Sequence, residues 1–378
     1  MKMIINKLKK MSRKQWVVYS LIVFCFILSI IFVNHNSSFY KQPIAEVLST
    51  HLQSKEKVTD QHNNKDQIYK QSIKAEIKNG KDKGKVIHLE NEYSSSGAYD
   101  QKYKPGNEIF VTIDKPSKEK HLTGSIKNAK RDKYVLLVGW LFIFTLLFVG
   151  KKRGFLALIS LVVNAALMSF ALDIYVISSY KSLVFICSIL VILFTVISLL
   201  LLNGVNEMTY ASITSTLLGI FLTLGVTYAV VHFTDGNGLR YEGMQFLTRP
   251  YEIVFMAGLL IGSLGAVMDV SITISSSLFE LYEKNEKISL TALRKSGMDI
   301  GRDVMGALTN ILFFVYAAGS IPSMILYLKN ASPLGFTLSM NLSLEIARAL
   351  AGGIGIMLTI PIAVYTSIYF INQKRKRI

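Results

Sequence analysis

Asp269 is the residue whose type and position point most directly to chemistry. It lies in the apolar run 263–281, SLGAVMDVSITISSSLFEL, within a predicted membrane span. A lone carboxylate in hydrocarbon costs about 2.5–3.5 kcal/mol, so it normally has a partner, a cavity or an ion path. Thr273, Ser276 and Glu280 follow at helical spacing on the same face. We therefore expect a polar helix face that looks inward, on which Asp269 binds a cation or exchanges a proton.

Further charged and polar residues near this helix are candidates for ion coupling or substrate binding. An arginine close to a carboxylate favours its charged form, so we expect Arg302 or Arg348 to set the range in which Asp269 titrates. The remaining candidates are a cytoplasmic cluster of Asp299, Arg302 and Asp303, together with Asn310, Glu345 and Arg348 on the last two spans.

The motifs of the common enzyme classes are missing from the sequence. It contains no P-loop, GxSxG elbow, HExxH pair or dinucleotide fingerprint. Cys25 and Cys187 lie inside predicted spans without a CxxC motif, and the six histidines are scattered. We therefore predict no enzymatic activity, no cofactor and no metal site. Nucleic acid is not an expected partner, because the basic residues are not interleaved with aromatic ones.

The composition predicts a polytopic α-helical membrane protein with about eight spans. Hydrophobic residues make up 51% of the chain, and its mean hydropathy is +0.38. Lysine and arginine are concentrated at both ends, at 151–153 and at 284–302, which places these segments and both termini in the cytoplasm. The predicted spans are residues 17–33, 134–150, 154–175, 182–202, 210–233, 251–279, 307–328 and 345–371.

The predicted domain organisation follows from these spans. The first span has the basic flank of a signal peptide, but VNHNSSFYK after it offers no small-x-small cleavage site, so we favour an uncleaved anchor. Ser289 is predicted to cap an amphipathic helix on the cytoplasmic face near 289–304, and span seven to break near 319–322. The parts are a basic N terminus (1–16), the first helix (17–33), an extracytoplasmic domain (34–133), a seven-helix transmembrane domain (134–372) and a basic tail (373–378).

The extracytoplasmic domain is predicted to be β-rich from about residue 68. Its first part, through Lys65, is polar and favours a linker or a loose helix. Apolar residues alternate at 73–77, the turn Asn79-Gly80 follows, and further strand candidates are 85–89 and 108–113. We expect a small antiparallel barrel or sandwich. Its net charge of about +6 suits anionic cell-wall polymer or lipid headgroups, or is simply a solvated basic surface.

Three strings carry a family resemblance: LGAVMDVSITISSSLFEL, SGMDIGRDVMGALTNILFFVYAAGSIPSMIL and EIARALAGGIGIMLTIPIA. They resemble the YibE/F-like multitransmembrane proteins of Gram-positive and related bacteria, and the likeness extends from Ile68 to the C terminus. It implies a multi-pass protein of the plasma membrane of a Gram-positive bacterium and assigns no reaction. The order of mid-membrane Asp, cytoplasmic amphipathic helix and further span is also similar to part of the proton-driven export proteins SecD and SecF.

Two functional classes are consistent with these features. The first is an ion-coupled secondary transporter or export factor that uses Asp269, which we favour because an ionisable intramembrane residue is functional by default. The second is a non-transporting membrane scaffold or envelope sensor, whose outer domain binds a partner or cell-wall ligand. A water-accessible cavity at Asp269 would favour transport, and a dry, packed site would favour a scaffold. Expected partners are membrane lipid, anionic cell-wall polymer or another membrane protein, and the oligomeric state stays open.

Overall fold

The computed structural model describes residues 13–97, 100–114, 122–177, 182–244 and 250–377, with side chains from residue 20 onward. The chain divides into two compact units, Met1–Leu146 and Leu147–Ile378. The first contains helix α1 (Arg13–His35), a short 3-10 helix (Asn36–Phe39) and five β-strands. The strands are β1 (Ile44–Thr59), β2 (Lys65–Ile77), β3 (Val86–Ser94), β4 (Glu108–Ile113) and β5 (Leu122–Ala129).

The five strands form a closed barrel in the order β1-β2-β3-β5-β4. This order is that of the five-stranded Greek-key barrel known as the OB-fold. The predicted strands at 73–77, 85–89 and 108–113 are confirmed as parts of β2, β3 and β4. The expectation of an all-antiparallel domain is wrong, since β3 and β5 pair in parallel, with Ile87 opposite Leu122. A fifth strand that returns between β3 and β4 must run this way to close the barrel.

The prediction of a linker or loose helix before Lys65, with β structure starting only near residue 68, is also wrong. Residues of this segment form β1, which pairs with β2 from Ala45 opposite Ile77 to Thr59 opposite Lys65. Only the first half of β1 is buried in the barrel, and the second half is an exposed arm of a long hairpin. Strand pairing satisfies the backbone of this arm, so its polar composition does not prevent a β conformation.

A hydrogen-bond network holds the segment after β3 to the tip of this hairpin. Asp66 at the start of β2 accepts a hydrogen bond from Ser96 Oγ at 2.6 Å and one from the Gln67 amide at 2.7 Å. The bond from the Ser96 hydroxyl is the main reason that the pKa of Asp66 lies below its usual range. The network therefore depends on the ionised form of Asp66.

The barrel is joined to the helices of its own unit at the buried ammonium group of Lys130, which directly follows β5. The Lys130 side chain is 1% exposed, and its Nζ pairs with Glu108, whose side chain is 11% exposed. Lys130 Nζ also lies 3.6 Å from Asp132 Oδ2 and donates to the carbonyl oxygen of Val33, in α1, at 3.3 Å. Asp132 begins helix α2 (Asp132–Ile177) and accepts a hydrogen bond from Asn36 Nδ2 at 2.9 Å. We call these five residues the Lys130 junction.

The described part of the second unit contains the remainder of α2, a short 3-10 helix (Tyr241–Gly243) and five more α-helices. They are α3 (Leu183–Asn203), α4 (Glu207–Phe233), α5 (Tyr251–Lys284), α6 (Leu290–Lys329) and α7 (Leu334–Arg377). Within the described residues, seven helices, α1 to α7, are long and apolar enough to cross a membrane. The backbone of α2 leaves the helical region at Lys151, with φ 48° and ψ −123°. This break separates the two stretches that the sequence predicts as spans two and three.

Helix α7 packs against α4, α5 and α6, and small residues bring these helices close together. A Cβ atom at Gly219 of α4 would meet the Thr359 side chain of α7, and one at Gly355 of α7 would lie 2.6 Å from Thr223 Oγ1 of α4. Both threonines are fully buried. Glycine is therefore required at these two positions by close approach of a neighbouring side chain.

Helix α6 differs from its prediction in two ways. Residues 290–304 do not form a separate amphipathic helix, because they continue without a break into the predicted span and pack against α7. A Cβ at Gly297 would lie 2.8 Å from Val364 Cγ2, so the apolar side of this segment is covered by protein. The helix also continues through Pro322, where the sequence predicts a break. The predicted cap is present, since Ser289 Oγ accepts a hydrogen bond from the Ala292 amide at 3.1 Å.

Candidate functional site

The face of α5 that carries Asp269 points away from the centre of the helical unit. Gly258, Gly262, Gly265 and Asp269 are exposed, whereas Val267 on another face of the same helix is fully buried. The expectation that this face looks inward is therefore wrong for Asp269, whereas Thr273 and Ser276, which follow on the same face, are half-buried. Polar periodicity identified the face correctly, but both the lipid-facing and the core-facing sides of a membrane helix are otherwise apolar, so the pattern does not tell them apart. We call the four exposed residues the α5 stripe.

The space along the α5 stripe is open at most positions. A Cβ atom at Gly258 or at Gly265 would have no other atom within 4 Å. At Gly262, in contrast, the hydroxyl of Tyr316 from α6 lies directly over the glycine. None of the hydrogen bonds or ion pairs among the described residues involves Asp269. The stripe can therefore admit a close neighbour on both sides of the point covered by Tyr316.

Two of the predicted site residues line a cavity farther along the same helix. Ser276 and Glu280 contribute to a cavity of about 530 Å³ at the end of α5, and Thr273 lies half-buried one turn before Ser276. The cavity is also lined by Glu207 and Glu283. Glu280 is exposed and pairs with Lys284 at 2.6 Å, and each of the other two glutamates pairs with a basic residue of the C-terminal tail. The cavity is therefore lined by three glutamates, and a nearby basic residue neutralises each of them.

The predicted cytoplasmic cluster does not meet Asp269. Asp299 and Arg302 form an exposed ion pair at 3.1 Å within one turn of α6. Asp303 and Asn310 are exposed on the same helix. Neighbours three residues apart on one helix pair readily without a further role. The Asp299–Arg302 pair is therefore a local surface contact, and among the described residues no ion pair of this cluster reaches α5.

Glu345 and Arg348 form a half-buried pair at the other end of the unit. Arg348 Nη1 donates to Glu345 Oε1, and the Arg348 guanidinium lies 5.5 Å from the ring centroid of Phe255 on α5. The Arg348 Nε atom is buried and has no hydrogen-bond partner among the described residues. The pair fixes α7 against the start of α5. Its side chains make no described ion pair with Asp269, so the predicted coupling between Arg348 and Asp269 stays a prediction.

A stripe of buried hydroxyl groups on α4 is a feature that the sequence analysis overlooked. Thr209, Ser212, Thr216 and Thr223 are fully buried and recur at helical spacing. Each of the last three donates to the carbonyl oxygen four residues earlier, at 2.7–3.0 Å. The repetition of Ser and Thr every three to seven residues was visible in the sequence. Because these hydroxyls satisfy themselves within α4, they permit close packing and do not form a hydrated path.

A second cavity lies at the opposite ends of α4 and α5. Its volume is about 640 Å³, and its lining comes from the start of α3, the end of α4 and the start of α5. None of the predicted site residues lines it. Among the described residues, no group of three or more His, Cys, Asp or Glu side chains is placed to hold a metal ion. The lining of this cavity combines apolar side chains with Asp235 and Glu252.

Comparison with known proteins identifies the family. A family model described as YibE/F-like protein matches residues 138–373, and one described as YibE/F family N-terminal domain matches residues 38–129. The boundary between the two matches falls beside the Lys130 junction. No curated protein and no solved structure matches the chain. The two matches cover most of the sequence, and together with the seven long apolar helices they show a multi-pass membrane protein that belongs to the YibE/F-like family.

Proposed function

We propose that this protein is a membrane scaffold whose α5 stripe binds a further transmembrane helix. The observation that carries the proposal is the exposure of Asp269 together with Gly258 and Gly265 on one face of α5, a helix that also packs against α3, α4, α6 and α7. A carboxylate facing lipid costs about 2.5–3.5 kcal/mol. Glycines on the same face allow another backbone to approach closely and supply hydrogen-bonding groups. A partner helix would therefore cover both the charge and the glycines.

The proposed topology places the barrel outside the plasma membrane of a bacterium, with eight spans and both termini in the cytoplasm. The distribution of Lys and Arg supports it, and the break at Lys151 supports two spans within α2. The test is labelling of intact cells with an impermeant thiol reagent, using single cysteines at Ser95 and at the C terminus in a variant without Cys25 and Cys187. We expect labelling at Ser95 only. Labelling at the C terminus would contradict the topology.

The partner helix can be detected by site-specific photo-crosslinking in native membranes. A benzoylphenylalanine residue at Gly265 should form a protein adduct, and the same residue at Gly306 of α6 is the matched control. Both glycines have open space around a Cβ atom, so neither replacement is expected to disturb the fold. Adding Gly258→Leu should lower the adduct yield at Gly265, because the larger side chain blocks close approach. Adducts with lipid alone at Gly265 would contradict the scaffold.

Ion-coupled transport is the second candidate, and a specific observation supports it. The helix that bears Asp269 continues through Thr273 and Ser276 to the acidic cavity at Glu280, which offers water access at that end. In proteoliposomes with an imposed pH gradient, transport predicts proton flux that Asp269→Asn abolishes and Asp269→Glu partly keeps, with the Gly265 adduct unchanged. Equal flux in wild-type and Asp269→Asn vesicles would remove this candidate. A scaffold predicts the opposite result for Asp269→Asn, namely a lower adduct yield at Gly265 and no change in proton flux.

A further inference from the structure

The larger cavity of the helical unit has a built, amphipathic lining. Its inner wall is apolar and includes Phe221, Leu224 and Met256, the last of which is buried. Its volume of about 640 Å³ lies in the range of small-molecule sites, roughly 300–1,000 Å³. The Gly225 position widens it, because a Cβ atom there would have no other atom within 4 Å. The cavity is therefore large enough for a compact organic molecule.

The rim of the same cavity is acidic and aromatic. Asp235 and Glu252 are exposed at the rim, and neither makes an ion pair with any described residue. The rings of Tyr228 and His232 stack at the rim with centroids 6.0 Å apart and planes 3° from parallel. Among the described residues that line the cavity, none is lysine or arginine. As far as the described residues go, the rim therefore combines aromatic faces with two carboxylates that make no ion pair.

Glu252 also acts on a neighbouring tyrosine. Tyr241 lies in the segment between α4 and α5, and its ring contacts Tyr251 with centroids 4.5 Å apart. Burial raises the pKa of Tyr241, and the charge of Glu252 raises it further.

The ends of α4 and α5 at the cavity have opposite effects on a bound charge. The carboxyl end of α4 favours a cation, whereas the amino end of α5 favours an anion and is offset by Glu252 in its first turn.

We propose that this cavity binds a lipophilic organic cation. The apolar wall would cover the body of the ligand, and the charge would lie at the rim beside Asp235 and Glu252. Aromatic faces at the rim add cation–π attraction, which is strongest for weakly hydrated organic cations. A lipophilic anion of the same shape would meet the same wall but would be repelled by both carboxylates. This charge complementarity distinguishes the proposed ligand from a generic apolar solute.

The test compares two probes of nearly identical shape and opposite charge. Tetraphenylphosphonium and tetraphenylborate are each titrated into the full-length protein in neutral detergent micelles, and binding is followed by isothermal calorimetry against protein-free micelles. We expect saturable binding of the cation only. Gly225→Leu should abolish it by filling the cavity, while Gly306→Leu, a change at an equally open glycine of α6, should leave it unchanged. A thermal melt of each variant establishes that the fold is intact.

Charge variants test the rim separately. Asp235 has a positive φ of 48°, a conformation that asparagine also tolerates, so Asp235→Asn should keep the backbone. The double variant Asp235→Asn, Glu252→Gln should weaken binding of the cation about tenfold. Equal binding of both probes, or cation binding that survives Gly225→Leu in a folded protein, would overturn the proposal. Either result would mean partition into the apolar surface. A Gly225→Leu variant that fails to fold leaves the double charge variant to decide.

Discussion

Removal of the buried ammonium of Lys130 should strongly destabilise the barrel. In Lys130→Met the methionine keeps most of the volume of the side chain and removes the charge. Glu108 then loses its closest partner, and Asp132 loses one of its neighbours. The Val33 carbonyl oxygen loses the hydrogen bond from Nζ. The variant therefore leaves two carboxylates in a partly dry site with less compensation.

The size of this destabilisation depends on the burial of the carboxylates and on the positive charge of Lys133, which still lies beside Glu108. Breaking a buried ion pair from one side typically costs about 3–5 kcal/mol, because the other charge stays buried. Lys133 Nζ lies 3.4 Å from Glu108 Oε1 and is partly exposed, so it retains some of the attraction. We therefore expect the lower end, about 3 kcal/mol. In a domain of 60–100 residues each kcal/mol shifts the midpoint by about 4–8 °C, so the barrel should melt about 12–24 °C lower.

The assay is pulsed thermolysin digestion of the full-length protein in micelles over a series of temperatures, with the fragments resolved on gels. Lys127→Met is the matched control, since Lys127 lies on β5 and is exposed. We expect the barrel to become cleavable at much lower temperature only in Lys130→Met. Adding Glu108→Gln to Lys130→Met should recover part of the loss, because the unpaired carboxylate is then removed. A midpoint within a few degrees of wild type for Lys130→Met would refute the reasoning.

Three further predictions concern packing, pH and thiol access. Gly219→Ala should make the protein about 1–3 kcal/mol less stable than Gly306→Ala in thermal melts, because only the first methyl group meets a buried side chain; equal melts would contradict the packing. The pKa of Asp66 is lowered in the folded barrel, so its contribution to stability is present above the unfolded pKa and is lost as the pH falls; Asp66→Asn should flatten the acid side of the stability profile, and an unchanged profile would count against this. In micelles a membrane-permeant maleimide should label Cys25, which the protein leaves exposed, faster than Cys187, which is 2% exposed; equal labelling rates in the folded protein would contradict the burial.

The sequence predicted the barrel strands where side chains alternate between core and solvent. The alternation of Ile73, Ala75 and Ile77 is visible without a structure, and all three are fully buried in the barrel. The arm of β1 has no such pattern, because its second half is exposed on both faces. Its conformation depends on pairing with β2, which is a non-local contact. Local composition therefore could not predict this strand.

The candidate site was predictable only in part for a different reason. Helical periodicity placed Asp269 and Glu280 on one face, and the structure keeps them there. Whether that face meets protein or lipid depends on which neighbours cover it. Both the protein interior and the lipid are apolar, so the usual contrast between an apolar inside and a polar outside is lost. The buried hydroxyls of α4 show the same effect, since Thr216 and Thr223 lie in the packed interior of the unit. In a membrane protein, polar residues therefore occur at contacts between helices as well as at surfaces that face water.

The reciprocal fit of α4 and α7 fixes their register. Gly219 of α4 receives Thr359, and Thr223, one turn further along α4, lies over Gly355 of α7. A slide of one helical turn, about 5.4 Å, would bring the two threonines face to face in one direction and the two glycines face to face in the other. A shorter slide would also drive a side chain into a backbone. The interface therefore has one low-energy alignment and resists sliding of α4 along α7. Any conformational change in this unit should therefore carry α4 and α7 as one rigid body, and the sliding or tilting should occur at helices outside the pair.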